Sequence, residues 1–191
     1  DVLGSRGLGD VYKRQEKITF PVPETVKTPW FAHRGSIPAT LEYDDCTMYE
    51  KVEATARKYP GNIAFDFMGK HTTYKQMLDQ INKCARSLKT IGIREGDKIT
   101  IAMPNCPQAI YMLYATNAIG AIANMIHPLS AEKEIELYLQ MSESVVVVTL
   151  DQFYNKFEAI RENTKIVNII IARIKDELSL SLIHISEPTR P

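Results

Sequence analysis

Between residues 94 and 174, short apolar, β-branched runs alternate with amphipathic stretches of about a dozen residues. "KITIAM" precedes "PNCPQAIYMLYATNAIG", "AIANMI" precedes "AEKEIELYLQMSE", and "SVVVVTL" precedes "DQFYNKFEAIREN", which leads into "KIVNIIIARI". Strands joined through helices lie side by side in parallel. Strands apolar on both sides need helices over both faces. The expected fold class is therefore α/β, a partial doubly wound, mainly parallel sheet with helices on both faces. Asn105 and Ser130 are read as caps of the helices that follow them, and Gly120 closes the first of these.

The upstream sequence has a different pattern. Residues 16–46 hold Pro21, Pro23, Pro29 and Pro38 beside Trp30 and Phe31. Each proline removes a donor and restricts its predecessor, so this stretch reads as an extended, irregular arm. From Thr47 the period becomes helical. Met48, Val52, Ala56 and Tyr59 recur at helical spacing behind a Thr cap, and Pro60 stops the run. "NIAFDF" reads as a strand that turns at Gly69 into Thr72 and Thr73. "TYKQMLDQINKCARSLKTIG" reads as a longer helix with Tyr74, Met77, Leu78, Ile81, Ala85 and Leu88 on one face. Gly92 stands at its left-handed end.

Composition excludes some functions. The formal net charge is +0, which offers no basic surplus for nucleic acid, so no nucleic-acid partner is expected. The longest apolar runs are too short to span a bilayer, which leaves only peripheral membrane association open. No stretch has the layout of a secretory signal. Cys46, Cys84 and Cys106 are odd in number and far apart. They read as reduced thiols of a cytoplasmic protein.

The two ends are related through the genetic code. "SRGLGDVYKRQ" at 5–15 and "LSLIHISEPTR" at 180–190 can be encoded by opposite strands of one DNA element, and all eleven positions match in reverse order. The element resembles the transposon-end adapter used to fragment DNA for sequencing. Residues 1–15 and 180–191 are therefore expected to be translated adapter rather than native protein. That leaves the arm at 16–46 and a truncated α/β subdomain at 47–179. Setting the ends aside removes Arg6, Lys13, Arg14 and Arg190 against Asp1, Asp10 and Glu187, so the near-neutral balance stays.

Motifs for chemistry are few. The glycines of 16–179 form neither GxGxxG nor GxxxxGK[ST], and the turn "PNCP" after "KITIAM" lacks a glycine for pyrophosphate approach. Asp44 and Asp45 are acidic neighbours just before a helix start. Dipole complementation accounts for them better than a metal does. His33, His71 and His127 are scattered, with no HxxxH or HExxH among them. His127 follows a strand, at the edge where α/β sites assemble, yet a surface loop histidine is the commoner case. Cys106 has no base near it in sequence and reads as a small residue in a helix's first turn. "KDEL" at 175–178 is internal and carries no address. No catalytic, cofactor-binding or metal-binding residue is assigned.

The order of segments nevertheless resembles a known family. "TMYEKVEATARKYPGNIAF", Thr72–Thr73–Tyr74 opening a helix, "GIREGDKITIAMPNCPQ" and "NAIGAIANMIHPLSAEKEIEL" are similar to the N-terminal part of AMP-forming acyl-CoA synthetases, in the adenylate-forming ligase superfamily. "WFAHRGSIPATLEYDDCTMYE" resembles the opening of the fatty-acyl-CoA ligases. Departures are His127 where the family often has Asn, and Asn117 where it often has Lys. The resemblance implies a parent enzyme that uses ATP, Mg²⁺ and CoA on a small-molecule carboxylic acid, with a fatty acid expected. It implies that the phosphate loop, adenine site and catalytic Lys lie downstream, so the fragment itself is expected to be inactive. Two other readings stay open here: a different adenylate-forming ligase for aryl or amino acids, and a stand-alone α/β binding module.

Overall fold

Thr47 and Thr73 each open a helix by a reciprocal capping box. The computed structural model describes residue 33, residues 35–38 and residues 42–178. Residues 1–15 and 180–191, and most of the arm at 16–46, lie outside the described residues. The chain divides into two units, Asp1–Asp44 and Asp45–Pro191. In the first, the described residues are exposed, and Gly35 takes a left-handed conformation.

Thr47 Oγ1 accepts from Glu50 N at 3.2 Å, and Glu50 Oε2 accepts from Thr47 N at 2.7 Å. This closes both orphan donors at the start of α1 (Met48–Lys58). Thr73 and Gln76 do the same for α2 (Tyr74–Thr90), at 3.3 and 2.9 Å. Between these helices, β1 (Ile63–Phe67) and β2 (Lys70–Thr73) form an antiparallel hairpin. Its two-residue turn needs positive φ at both positions, and Met68 (52°) and Gly69 (79°) supply it. Gly92 ends α2 at φ 93°, and Ile93 N donates to Leu88 O.

The expected stripe on α1 is only partly buried. Ala56 is buried and Val52 half-buried, whereas Met48 and Tyr59 are exposed. Tyr59 is the C-cap, at φ −132°, so its backbone has already left the helix and its side chain leaves the stripe. Two asparagines hold α1 instead. Tyr49 N donates to Asn117 Oδ1 at 2.9 Å, and Tyr49 OH donates to Asn82 Oδ1 at 2.8 Å.

The remaining elements are β3 (Lys98–Ala102), α3 (Pro107–Ala118), β4 (Ile122–Met125), α4 (Glu132–Ser142), β5 (Val146–Leu150), α5 (Tyr154–Ile160) and β6 (Asn168–Ala172). The helix read over 151–163 is shorter than expected. Only Tyr154–Ile160 is α-helical, between 3₁₀ turns at Asp151–Phe153 and Arg161–Asn163. The four strands pair in parallel in the order β4-β3-β5-β6, with Ile101 opposite both Met125 and Val148.

That order fixes the layers. The chain steps from β3 to β4 on one side, then crosses back over β3 to β5 and on to β6. Right-handed crossovers then place α3 on one face and α4 and α5 on the other. The core divides in the same way. Ile99, Ile101, Val146 and Val148 pack with Ile81 and Leu88 of α2 and Met112 and Ala115 of α3. Val147 packs with Ile135 and Leu139 of α4 and with Phe157 and Ile160 of α5. All five β5 residues are buried, as are Ile99 to Ala102 of β3. Each such aliphatic side chain contributes about 1.5–3 kcal/mol relative to exposure, so the two central strands dominate stability.

Gly120 sets the turn between α3 and β4. It takes φ +74°, and its carbonyl accepts from Gly96 N at 2.9 Å. A Cβ there would stand 2.9 Å from Glu95 Cγ. Gly120→Ala is expected to lower the unfolding free energy by about 1 kcal/mol, chiefly from the left-handed backbone. A urea unfolding curve measures this, and an unshifted midpoint would contradict it.

Candidate functional site

A doubly wound sheet presents its working surface outside the carboxyl ends of its strands, at the point where the winding reverses. In this chain that point lies between β3 and β5, since α3 leaves one face and α5 the other. Residues 103–106 follow β3. Met103 and Cys106 are buried, while Pro104 and Asn105 are exposed.

Cys106, rather than Asn105, is the N-cap of α3, and it makes no side-chain cap bond. Pro107 explains the shift. Its fixed φ and missing N–H suit the first helical position, which places the cap one residue before it. The Cys106 carbonyl accepts from Ala109 N and Ile110 N. The thiol is 2% exposed, and burial pushes its pKa up. A buried neutral thiol is a poor nucleophile, so Cys106 is a packing residue at this edge.

Ser130 is likewise not the cap of α4. Ala131 holds that position, and its N–H donates to Glu134 Oε2 at 3.3 Å. The Ser130 carbonyl instead accepts from Lys156 Nζ of the α5 layer at 2.8 Å. His127 closes the turn after β4, where its Nδ1 accepts from Leu129 N at 3.2 Å. Asp151 follows β5, and its Oδ1 accepts from Gln152 N at 2.9 Å. The carboxyl edge thus holds both His127 and Cys106, but each is used within its own turn.

The other candidates lie elsewhere. His71 Nε2 pairs with Asp66 Oδ2 at 2.9 Å across the exposed hairpin. His33 is exposed in the first unit. Asp44 and Asp45 are exposed just before α1, where Thr47 and Glu50 make the cap. Among the described residues, no group of His, Cys, Asp and Glu is arranged to hold a metal ion.

Sequence reasoning missed a cavity of about 450 Å³ beside β6, under α2 and the first turns of α3. Gln108, Tyr111, Cys84, Lys83, Arg173 and Glu177 contribute its polar lining. Gln108 Nε2 donates to Arg173 O at 2.8 Å, while its Oε1 is buried without a partner. Tyr111 lies against Phe65, with ring centroids 6.2 Å apart. Burial, then the nearby Glu177 carboxylate, pushes its phenol up to about 12. Burial also raises the Cys84 thiol. Lys70 holds Glu177 at 3.2 Å. Near neutral pH the phenol and the Cys84 thiol keep their protons, so the cavity offers hydrogen bonds and apolar walls rather than an activated nucleophile. The signal available in the sequence was Gln108 and Tyr111, three apart in the first turns of a mostly apolar helix.

The first turn of α3 commits part of its backbone at this edge. Pro107 has no N–H to give, and the N–H groups of Ala109 and Ile110 return to the Cys106 carbonyl.

The sequence profile of the AMP-binding enzyme family matches residues 52–189, which takes in every strand of both sheets. The chain belongs to the AMP-binding enzyme family. It is 30% identical over 151 residues to a long-chain-fatty-acid–CoA ligase of Bacillus subtilis, covering 78% of this chain and 27% of that protein. It is 29% identical over 140 residues to the ligase of that name from Haemophilus influenzae, covering 71% and 25%. The structure resembles that of a long-chain-fatty-acid–CoA ligase from Archaeoglobus fulgidus, with TM-score 0.65 and 19% identity over 72% of this chain and 30% of the other. The α/β fold is thus that of an acyl-CoA ligase subdomain. The chain spans about a quarter of the length of the curated relatives it matches.

Proposed function

We propose that this chain is part of an AMP-forming carboxylate–CoA ligase and supplies the scaffold of its first subdomain rather than its chemistry. The observation that carries the reading is the family match across the whole parallel sheet. The parent's reaction joins a carboxylate to the α-phosphate of ATP with loss of pyrophosphate, and the CoA thiol then displaces AMP. Such chemistry needs cradled phosphates, Mg²⁺ and preorganised charge. The parent would draw ATP, Mg²⁺ and CoA from outside this chain's described residues. A fatty acid is the substrate class, supported by the names of the Bacillus and Haemophilus relatives. A cytoplasmic site of action fits the three unpaired cysteines. No helix among the described residues is long and apolar enough to cross a membrane.

The same proposal assigns residues 1–15 and 180–191 to translated adapter. The family match extends over 180–189 and so overlaps the second of these segments. The eleven-position antisense correspondence supports the assignment there.

ATP–pyrophosphate exchange tests the scaffold role. The purified chain, given ATP, Mg²⁺ and palmitate, is expected to exchange no more label than a buffer blank. Exchange that depends on the chain would overturn this reading and would place the adenylating residues within it.

A further inference from the structure

We propose that the groove between the free edge of β4 and α4 is a seam, and that an apolar segment from the remainder of the ligase chain occupies it. This rests on the ligase reading above. Among the described residues β4 is the outermost strand of the sheet, paired with β3 alone. It nevertheless exposes Ile122 and Met125, each at 52%. Edge strands that face water usually carry charge, proline or a bulge. β4 is short, at 4 residues, and carries no charge, proline or bulge.

The neighbouring helix has two apolar stripes. Ile135 and Leu139 are fully buried against the sheet. Tyr138 and Met141, one turn apart, are 39% and 75% exposed, and they line a groove of about 550 Å³ with Met125 and Ile126. A helix apolar on two sides is suited to lie between two layers. Here one of those layers is present among the described residues.

Two of the groove's polar side chains already have partners. Asn124 Nδ2 donates to Thr100 Oγ1 at 2.9 Å, and the Ser142 hydroxyl lies 2.9 Å from that of Ser144. An apolar segment could therefore close the groove without stranding those donors. The opposite edge differs: Asn168, Ile169, Ile170 and Ala172 of β6 are half-buried, leaving Ile171 exposed.

The length comparison supports this occupant. The Bacillus relative is matched over 27% of its length, and the Archaeoglobus structure over 30% of its chain. In those proteins this subdomain is embedded in a body several times larger. An unpartnered apolar edge is what such a subdomain presents where it meets the rest.

Thiol labelling tests the seam. Met141→Cys is placed in a Cys46→Ser background, both in this chain and in a chimera. In the chimera, residues 47–178 replace the matching quarter of the Bacillus subtilis ligase. In this chain, position 141 is expected to label at the rate of an open site. In the chimera, labelling should slow by about 100-fold, because a covered site reacts only through rare opening. Equal rates in the two would overturn the proposal. Protection in this chain that rises with its own concentration would overturn it in favour of a second copy.

A second measurement does not depend on the chimera. Met125→Glu with Met141→Glu in this chain should leave the thermal midpoint unchanged. A clearly lower midpoint would make the face internal packing and end the proposal. A folded chimera protected at position 141, yet without ATP–pyrophosphate exchange, would support the seam while counting against the ligase reading.

Discussion

Phe157→Ala is expected to lower the unfolding free energy by about 3–5 kcal/mol, a large share of the 5–15 kcal/mol typical of a domain. Phe157 is fully buried and joins α5 to the sheet. Its partners are Val147 on β5, Ile135 and Leu139 on α4, and Ile160 and Ile166 beside it. This layer is the thinner of the two, and α5 is a helix of 7 residues. A helix that short has little stability of its own, so its docking rests on this ring. Neighbouring elements are held by their own ladders and caps and are slow to collapse into the void. Urea unfolding followed by circular dichroism measures the loss. Met141→Ala, on the exposed side of α4, should change stability by no more than about 0.5 kcal/mol. A loss below about 1 kcal/mol for Phe157→Ala would mean that α5 is not anchored through this ring.

Local chemistry was well marked in the sequence. Thr47 with Glu50, and Thr73 with Gln76, are short-range pairs, and each produced the helix start expected of it. Gly69, Gly92 and Gly120 all take positive φ at turns or helix ends. The βα alternation gave the parallel sheet because periodicity and length together separate strands from helices.

Tertiary choices were less legible. Nothing in the connection lengths says that α4 carries the chain back across β3, so the order β4-β3-β5-β6 emerges only in the structure. Asn105 and Ser130 are good capping types in plausible places. Pro107 and Glu134, each acting at a fixed offset, moved both caps to a neighbour with no capping side chain. At the carboxyl edge the sequence pointed to His127 and Cys106 because of their residue types. The cavity beside β6 is instead organised by Gln108 and Arg173, which meet across 65 residues. A contact of that range leaves no periodic trace.

Thr100→Val gives the sharper test of how the sheet's interior is built. Thr100 is fully buried on β3, on the side facing α4 and α5. Its hydroxyl donates to Ser144 Oγ at 2.7 Å and accepts from Asn124 Nδ2 at 2.9 Å. Valine keeps the shape and removes both bonds. The expected loss is about 1–3 kcal/mol, because the Asn124 amide is left without its acceptor in a half-buried site. Removing Ser144 as well should not add its full separate effect, since Ser144→Ala alone already breaks the Thr100 bond. A double-mutant cycle of Thr100→Val and Ser144→Ala is therefore expected to show a coupling energy of at least about 0.5 kcal/mol. Strict additivity would mean that the hydroxyls act independently and that the chain from Asn124 to Ser142 is not a unit. The coupling bears on the groove directly. Asn124 and Ser142 line the groove, and Thr100 and Ser144 hydrogen-bond to them on the α4 side of the sheet. Thr100→Val should therefore also speed amide hydrogen exchange in β4 while leaving β6 unchanged, because β5 separates β6 from this network.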